Sequence, residues 1–144
     1  MDHVRVSILT TAFIVLIGCA TEPYGPVTYN KSDLDKLLKT NACPGCNLSG
    51  ADLRGGFMGY AHLSGANLSG AHLDGAMLVE ADLTNANLSG AKLHDATLRN
   101  ANLTGANLDG AIVVGACFLD AKGLSTEQVE DLKRRGAVFH ERSF

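Results

Sequence analysis

Ala66-Asn67-Leu68-Ser69-Gly70 returns as Ala86-Asn87-Leu88-Ser89-Gly90 and again as Ala106-Asn107-Leu108-Asp109-Gly110. These stretches belong to a five-residue period, A-x-L-x-x, that runs fifteen times between positions 46 and 120. A period of five is neither the 2 of a strand nor the 3.6 of a helix, so neither a pleated ribbon nor an amphipathic helix accounts for it. Sustained this long, it marks a solenoid, in which each repeat buries its apolar face only by stacking on its neighbours. The central residue is Leu in twelve of the fifteen repeats, with Met58, Val113 and Phe118 as exceptions. Two residues earlier stands Ala in thirteen, replaced by Cys46 and Gly56. One bulky and one small residue in fixed order describe a narrow interior. The remaining positions are mostly polar, and the Gly frequent in fifth place allows the positive φ that tight turns need.

Ala51-Asp52-Leu53, Ala81-Asp82-Leu83 and Ala101-Asn102-Leu103 match the A-(D/N)-L-x-x consensus of the pentapeptide-repeat family, which the chain resembles over about half its length. The resemblance implies an all-β solenoid: a right-handed quadrilateral β-helix with four repeats, hence about twenty residues, per coil. Fifteen repeats then make about four coils, roughly 15–20 Å tall at a strand spacing of ~4.8 Å. In that register Leu48, Leu68, Leu88 and Leu108 stack on one wall, and Leu53, Leu73, Leu93 and Val113 on the next. Each buried Leu contributes on the order of 1.5–3 kcal/mol before chain entropy is subtracted. Outside, Asn47, Asn67, Asn87 and Asn107 form a column, expected to stack its amides from coil to coil.

The third wall departs from the polar exterior. Phe57, Tyr60, Met77, Val79, Cys117 and Leu119 fall on its outward positions, with Ile112 and Val114 adjoining on the second wall. Apolar side chains at positions that are polar elsewhere need a cover, either the chain's own termini or a partner. These six residues are the candidate partner-binding set, for another protein or for a second copy in a homo-dimer.

Both ends have their own logic. Residues 1–18 read as a targeting segment: Arg5, then an apolar run from Ile8 to Gly18 too short to span a bilayer. Leu16-Ile17-Gly18-Cys19 resembles the bacterial lipobox, which implies cleavage before Cys19 and lipid on its thiol and its new amine. The resemblance places the mature protein in a bacterial envelope, held to the membrane by that lipid, and facing the periplasm or on the outer membrane if the cell is Gram-negative. Residues 19–31, with Pro23 and Pro26 and no periodicity, are expected to be a flexible tether. Residues 32–45 are expected to form a capping helix, with Ser32 as N-cap and Leu34, Leu37 and Leu38 on one face, followed by a turn. The solenoid is expected over 46–122, and a C-terminal capping helix with a tail over 123–144. There Ser125 and Gln128 suit a capping box, and Lys133, Arg134 and Arg135 suit the negative end of the helix dipole.

Cys43-Pro44-Gly45-Cys46 stands where the first repeat begins. Thioredoxin-type chemistry would need a βαβ context, covalent haem a His where Asn47 stands, and zinc a second ligand pair. A disulfide between Cys43 and Cys46, pinning the cap to the first coil, is the favoured expectation and two buried thiols the alternative.

Charge narrows the function. The repeats carry seven acids against three bases, in a chain of net charge −3, which is not the footprint of a nucleic-acid binder. The resemblance also brings in mimicry of duplex DNA toward gyrase, which needs a long, strongly acidic rod in the cytoplasm. This rod is short, modestly charged and bears an export signal, so that activity is a remote alternative. No nucleophile–base pair, phosphate loop or metal-ligand set stands at a nameable spacing, so neither enzyme activity nor a cofactor is expected. Two readings remain: a lipid-anchored scaffold or adaptor that binds a protein, and a passive structural spacer.

Overall fold

The computed structural model describes residues 28–140. Parallel β-bridges join the second residue of each repeat to the residue twenty further on. One column runs Asn47, Asn67, Asn87, Asn107, and a second runs Asp52, His72, Lys92, Ile112. The third runs Phe57, Met77, Thr97, Cys117, and the fourth His62, Asp82, Asn102, Lys122. Each coil thus has four short walls, numbered here one to four from Asn47, Asp52, Phe57 and His62.

The period-five sequence explains the coil. The bridging residue uses both backbone groups toward the preceding coil, as when Asn67 N–H donates to Cys46 (2.8 Å) and Leu48 N–H donates to Asn67 (2.8 Å). The corner then closes with an i→i+3 bond, Ala51 N–H to the Leu48 carbonyl at 3.1 Å, with Gly50 at φ 68° between them. That positive φ at the third turn position is the type II geometry that favours Gly. Side chains meet a further need. Asn67 Oδ1 accepts the Ser69 N–H at 3.1 Å, and Asn87, Asn102, Asn107 and Asp82 do the same two residues on. The Asn column is therefore explained by Asx turns within each coil, which serve the fourth N–H of the repeat, and not by amide stacking between coils.

Inside, the Leu and Ala columns are fully buried, and no polar or charged residue among those described is buried with them. The stack is covered at both ends. Helix α1, Lys31–Thr40, is capped by Asn30, whose Oδ1 accepts the Ser32 N–H at 2.9 Å. Sequence reading put the N-cap at Ser32; Asn30 takes the place because it also pairs with the first coil. Leu37 of α1 is buried on that coil, and Asp33 Oδ2 accepts the Asn47 N–H at 2.8 Å. Residues Thr28 to Asn30, expected within the tether, instead run antiparallel to Asn47–Ser49. Asn30 N–H donates to the Asn47 carbonyl (2.8 Å), and Thr28 Oγ1 donates to that of Ser49 (2.7 Å). The lipobox, Cys19 and the rest of the tether lie outside the described residues. No helix among the described residues is long and apolar enough to cross a membrane.

Helix α2, Thr126–Arg134, opens with the Ser125–Gln128 capping box and buries Leu132 on the last coil. Beyond it the chain is more than a tail: Val138 bridges to Cys117 and adds a strand to wall three. Phe139 stacks on Phe118 at 5.6 Å between ring centroids.

Candidate interaction surface

Wall three differs from its neighbours in two local ways, both adverse to stability. Its bridging residues are Phe57, Met77, Thr97 and Cys117, none of which can make the Asx turn that Asn supplies throughout wall one. Its corner residues, Tyr60, Glu80, Asn100 and Asp120, all hold φ between 56° and 58° without being Gly. On wall one the same corner is Gly50, Gly70, Gly90 and Gly110. The left-handed region costs an ordinary L-residue about 1–2 kcal/mol, and Asn or Asp less. Strain kept coil after coil on one wall is the kind that collects at functional surfaces.

What the wall gains is side chain on the outside. Phe57 is 55% exposed, Tyr60 65% and Met77 41%. Tyr60 and Glu80 hold a ridge between successive coils, the phenol oxygen 3.4 Å from Glu80 Oε1. Val79, Cys117 and Leu119, also expected on the surface, are only half-exposed, Cys117 with Val138 beside it. The exposed apolar patch is thus concentrated on the first two coils. The C-terminal strand prolongs the wall in its own plane and does not lie over it. Ile112 and Val114 are exposed on wall two, at the far end of the solenoid.

Cys43 and Cys46 are joined by a disulfide across a Cα–Cα distance of 5.4 Å, and both are buried. With Asp33 they bring ligand-type atoms within 4.8 Å of one another. The two sulfurs are bonded to each other and Asp33 holds the Asn47 N–H, so this cluster fastens α1 to the first coil. Cys117 is a free thiol.

Acid–base chemistry is sparse on the described surface. Asp52 lies below the usual aspartate range because Arg54 donates two side-chain bonds to it, at 2.8 and 2.7 Å. Asp82 is lowered by the Thr84 hydroxyl at 2.6 Å and by the backbone N–H of the same residue. Both carboxylates serve turns. A cleft of about 210 Å³ between the last coil and α2, lined by Leu108, Glu127, Asp131 and Arg135 among others, is smaller than the usual small-molecule pocket.

Arg135 was read from sequence only as a cation at a helix C-terminus. It reaches back instead, donating from Nη1 to the carbonyl oxygens of Ala111 (2.8 Å) and Leu108 (3.3 Å), while Nε pairs with Asp131 at 2.8 Å. No local pattern distinguishes it from Arg134; only the geometry of the last coil does.

The family model for pentapeptide repeats matches residues 46–85 and 86–121, more than half of the chain. Among solved structures, a pentapeptide repeat protein from the Arabidopsis thaliana thylakoid lumen is similar over 83% of this chain and 87% of its own, at 23% identity and a TM-score of 0.54. A pentapeptide repeat protein from Nostoc PCC 7120 is similar over 81% of this chain and all of its own (100%), at 28% identity and a TM-score of 0.51. These likenesses carry the right-handed β-helix. No curated protein matches the sequence.

Proposed function

The chain belongs to the pentapeptide-repeat family, and on that premise we propose that it is a non-enzymatic, lipid-anchored scaffold of the bacterial envelope that binds a protein partner through wall three. The carrying observation is the concentration of exposed Phe57, Tyr60 and Met77 on the one wall whose corners forgo Gly in every coil. Aromatic and Met side chains are the types enriched at the centres of interfaces, and a small rigid support lowers the ordering cost of binding. The lipobox ending in Cys19 supports the anchor, and the Cys43–Cys46 bond accords with an oxidising compartment.

The test joins both parts. Protein from the native host should begin at Cys19 with lipid mass on it, and a soluble chain cut elsewhere would end the anchor. Capture from the envelope, cross-linked and compared between wild type and Phe57→Ser with Met77→Ser, should lose its partner in the variant. Neither residue is in the core, so the variant should stay within about 1 kcal/mol of wild-type stability. The half-exposure of Val79, Cys117 and Leu119 favours the second reading, a passive spacer, and unchanged capture would leave that reading standing.

A further inference from the structure

Helix α1 crosses the mouth of the first coil, with its two ends fixed on opposite walls. The Asn30 N–H donates to the Asn47 carbonyl on wall one at 2.8 Å, and the Asn41 side chain donates to the Gly59 carbonyl on wall three at 2.8 Å. Between them Asp33 takes the Asn47 N–H and Leu37 is buried, so this stripe faces the coil. At about 100° per residue the opposite side of the helix carries Ser32, Asp35 and Lys39, flanked by Lys31 and Lys36, and all five are exposed. That outward half sets three cations against one acid. Among the described residues no carboxylate pairs with Lys31 or Lys36, while Lys39 has a further contact. At the far end of the rod Lys133, Arg134 and Arg135 are all matched, by Glu130 and Asp131. Between the ends the repeats hold seven acids against three bases. The rod is acidic along its length and bears a basic face on α1.

We propose that the outward face of α1 docks on an anionic phospholipid bilayer and stands the rod on end there, with the solenoid axis along the membrane normal. This rests on the lipid anchor proposed at Cys19 and adds what an anchor alone leaves open, the attitude of the rod. Cys19 is nine residues before Thr28, a reach of about 30 Å at most. Thr28 is bonded to Ser49 on the first coil, at the same end as α1. The tether therefore brings a membrane to this face, and not a soluble acidic protein. It also holds the two at the high effective concentration of a short linker, where a weak contact is enough to choose an orientation. Each lysine brought to an anionic surface favours the docked form by roughly fivefold. A rod lying on its side would press Asp74, Glu80, Asp82 and Asp95 toward like charge. Standing on end, it keeps them behind a helix about 10 Å thick, beyond the ~8 Å over which physiological salt lets charges act.

The test mixes the full chain with excess vesicles of phosphatidylcholine alone, or of phosphatidylcholine and phosphatidylglycerol in equal parts. Lysine acetylation by acetic anhydride is followed residue by residue by mass spectrometry, and partition by sedimentation. Relative to neutral vesicles, anionic ones should slow Lys31 and Lys36 by about fivefold or more and leave Lys92 and Lys133 unchanged. The ratio of anionic to neutral partition should fall by about 25-fold or more in Lys31→Glu with Lys36→Glu, and should collapse for the wild type in molar salt. If that variant fails to fold, the wild-type footprint decides alone. Equal acetylation of Lys31 and Lys36 on both vesicles overturns the inference. Slowing of Lys92 or Lys133 as large as that of Lys31 overturns it too, because the rod then lies on its side or stands inverted. Soluble polyglutamate that slows Lys31 and Lys36 as strongly as the anionic vesicles do would replace the bilayer by an acidic protein. The anchor is read separately, as lipid mass on Cys19 and partition into neutral vesicles. A chain without lipid that keeps the anionic footprint discards the anchor and keeps the surface, and a lipidated chain without the footprint does the reverse.

Discussion

The Arg135 guanidinium donates to the Ala111 carbonyl oxygen at 2.8 Å, across the mouth of the last coil. With Leu108 as second acceptor and Asp131 as counter-ion, one side chain supplies what a further coil would otherwise supply. Arg135→Ala leaves two carbonyls and a carboxylate without that partner and should lower stability by about 1–3 kcal/mol. Arg135→Lys should recover little, because a single ammonium lacks the planar fork that holds the two carbonyls from one nitrogen and Asp131 from another. Urea midpoints of the three proteins decide the matter.

Glu80 holds φ 56° at a corner where wall one has Gly. Glu80→Gly should therefore raise stability by about 1 kcal/mol, offset in part by loss of the Tyr60 contact. The same variant should bind a wall-three partner less well. A chemical-denaturation curve showing a stability loss would remove the argument that this wall is strained.

The disulfide closes a very short loop. Loop entropy puts its contribution near 2 kcal/mol, so Cys43→Ala with Cys46→Ala should weaken the fold without abolishing it. Unfolded and unreduced, a lipidated mature chain should show a single reactive thiol, Cys117, and two more only after reduction. Three thiols before reduction would place Cys43 and Cys46 in the dithiol state.

Acid should act through Asp52 and Asp82. Both are depressed below the ordinary 3.8 in the folded chain, by Arg54 and Thr84 respectively. A lowered folded value stabilises above the unfolded one, so their contribution is intact above about pH 4. It is lost as pH falls below 3.8 and through the folded values. Carboxyl titration by NMR should place both midpoints under 3.8, and Thr84→Val should bring Asp82 back toward it.

The interior was legible residue by residue because a period of five admits one small and one large side chain per wall, and Ala66 with Leu68 already states the rule. The caps were partly legible: Ser125 and Gln128 announce a helix start by spacing alone. What escaped were contacts made by single residues on a surface the repeat creates. Asn30 looks like any polar residue until Asn47 stands opposite, and Val138 carries no strand signal without Cys117 to pair with. The apolar set on wall three was visible as a column, but Val79, Cys117 and Leu119 share their outer space with neighbours that only the folded corner brings close.

Because every bridge between repeats spans twenty residues, the solenoid counts in fours of its repeat. Duplicating one whole coil would lengthen the rod and leave each column in line. Inserting a single repeat would be just as easy to fold and very different in effect. Everything downstream would turn by a quarter, carrying Thr97 and Cys117 away from Phe57 and Met77 onto another side. Such a rod would keep its core and both ends while its outer surface was dealt out afresh, so length changes in this architecture are also changes of what faces the same way.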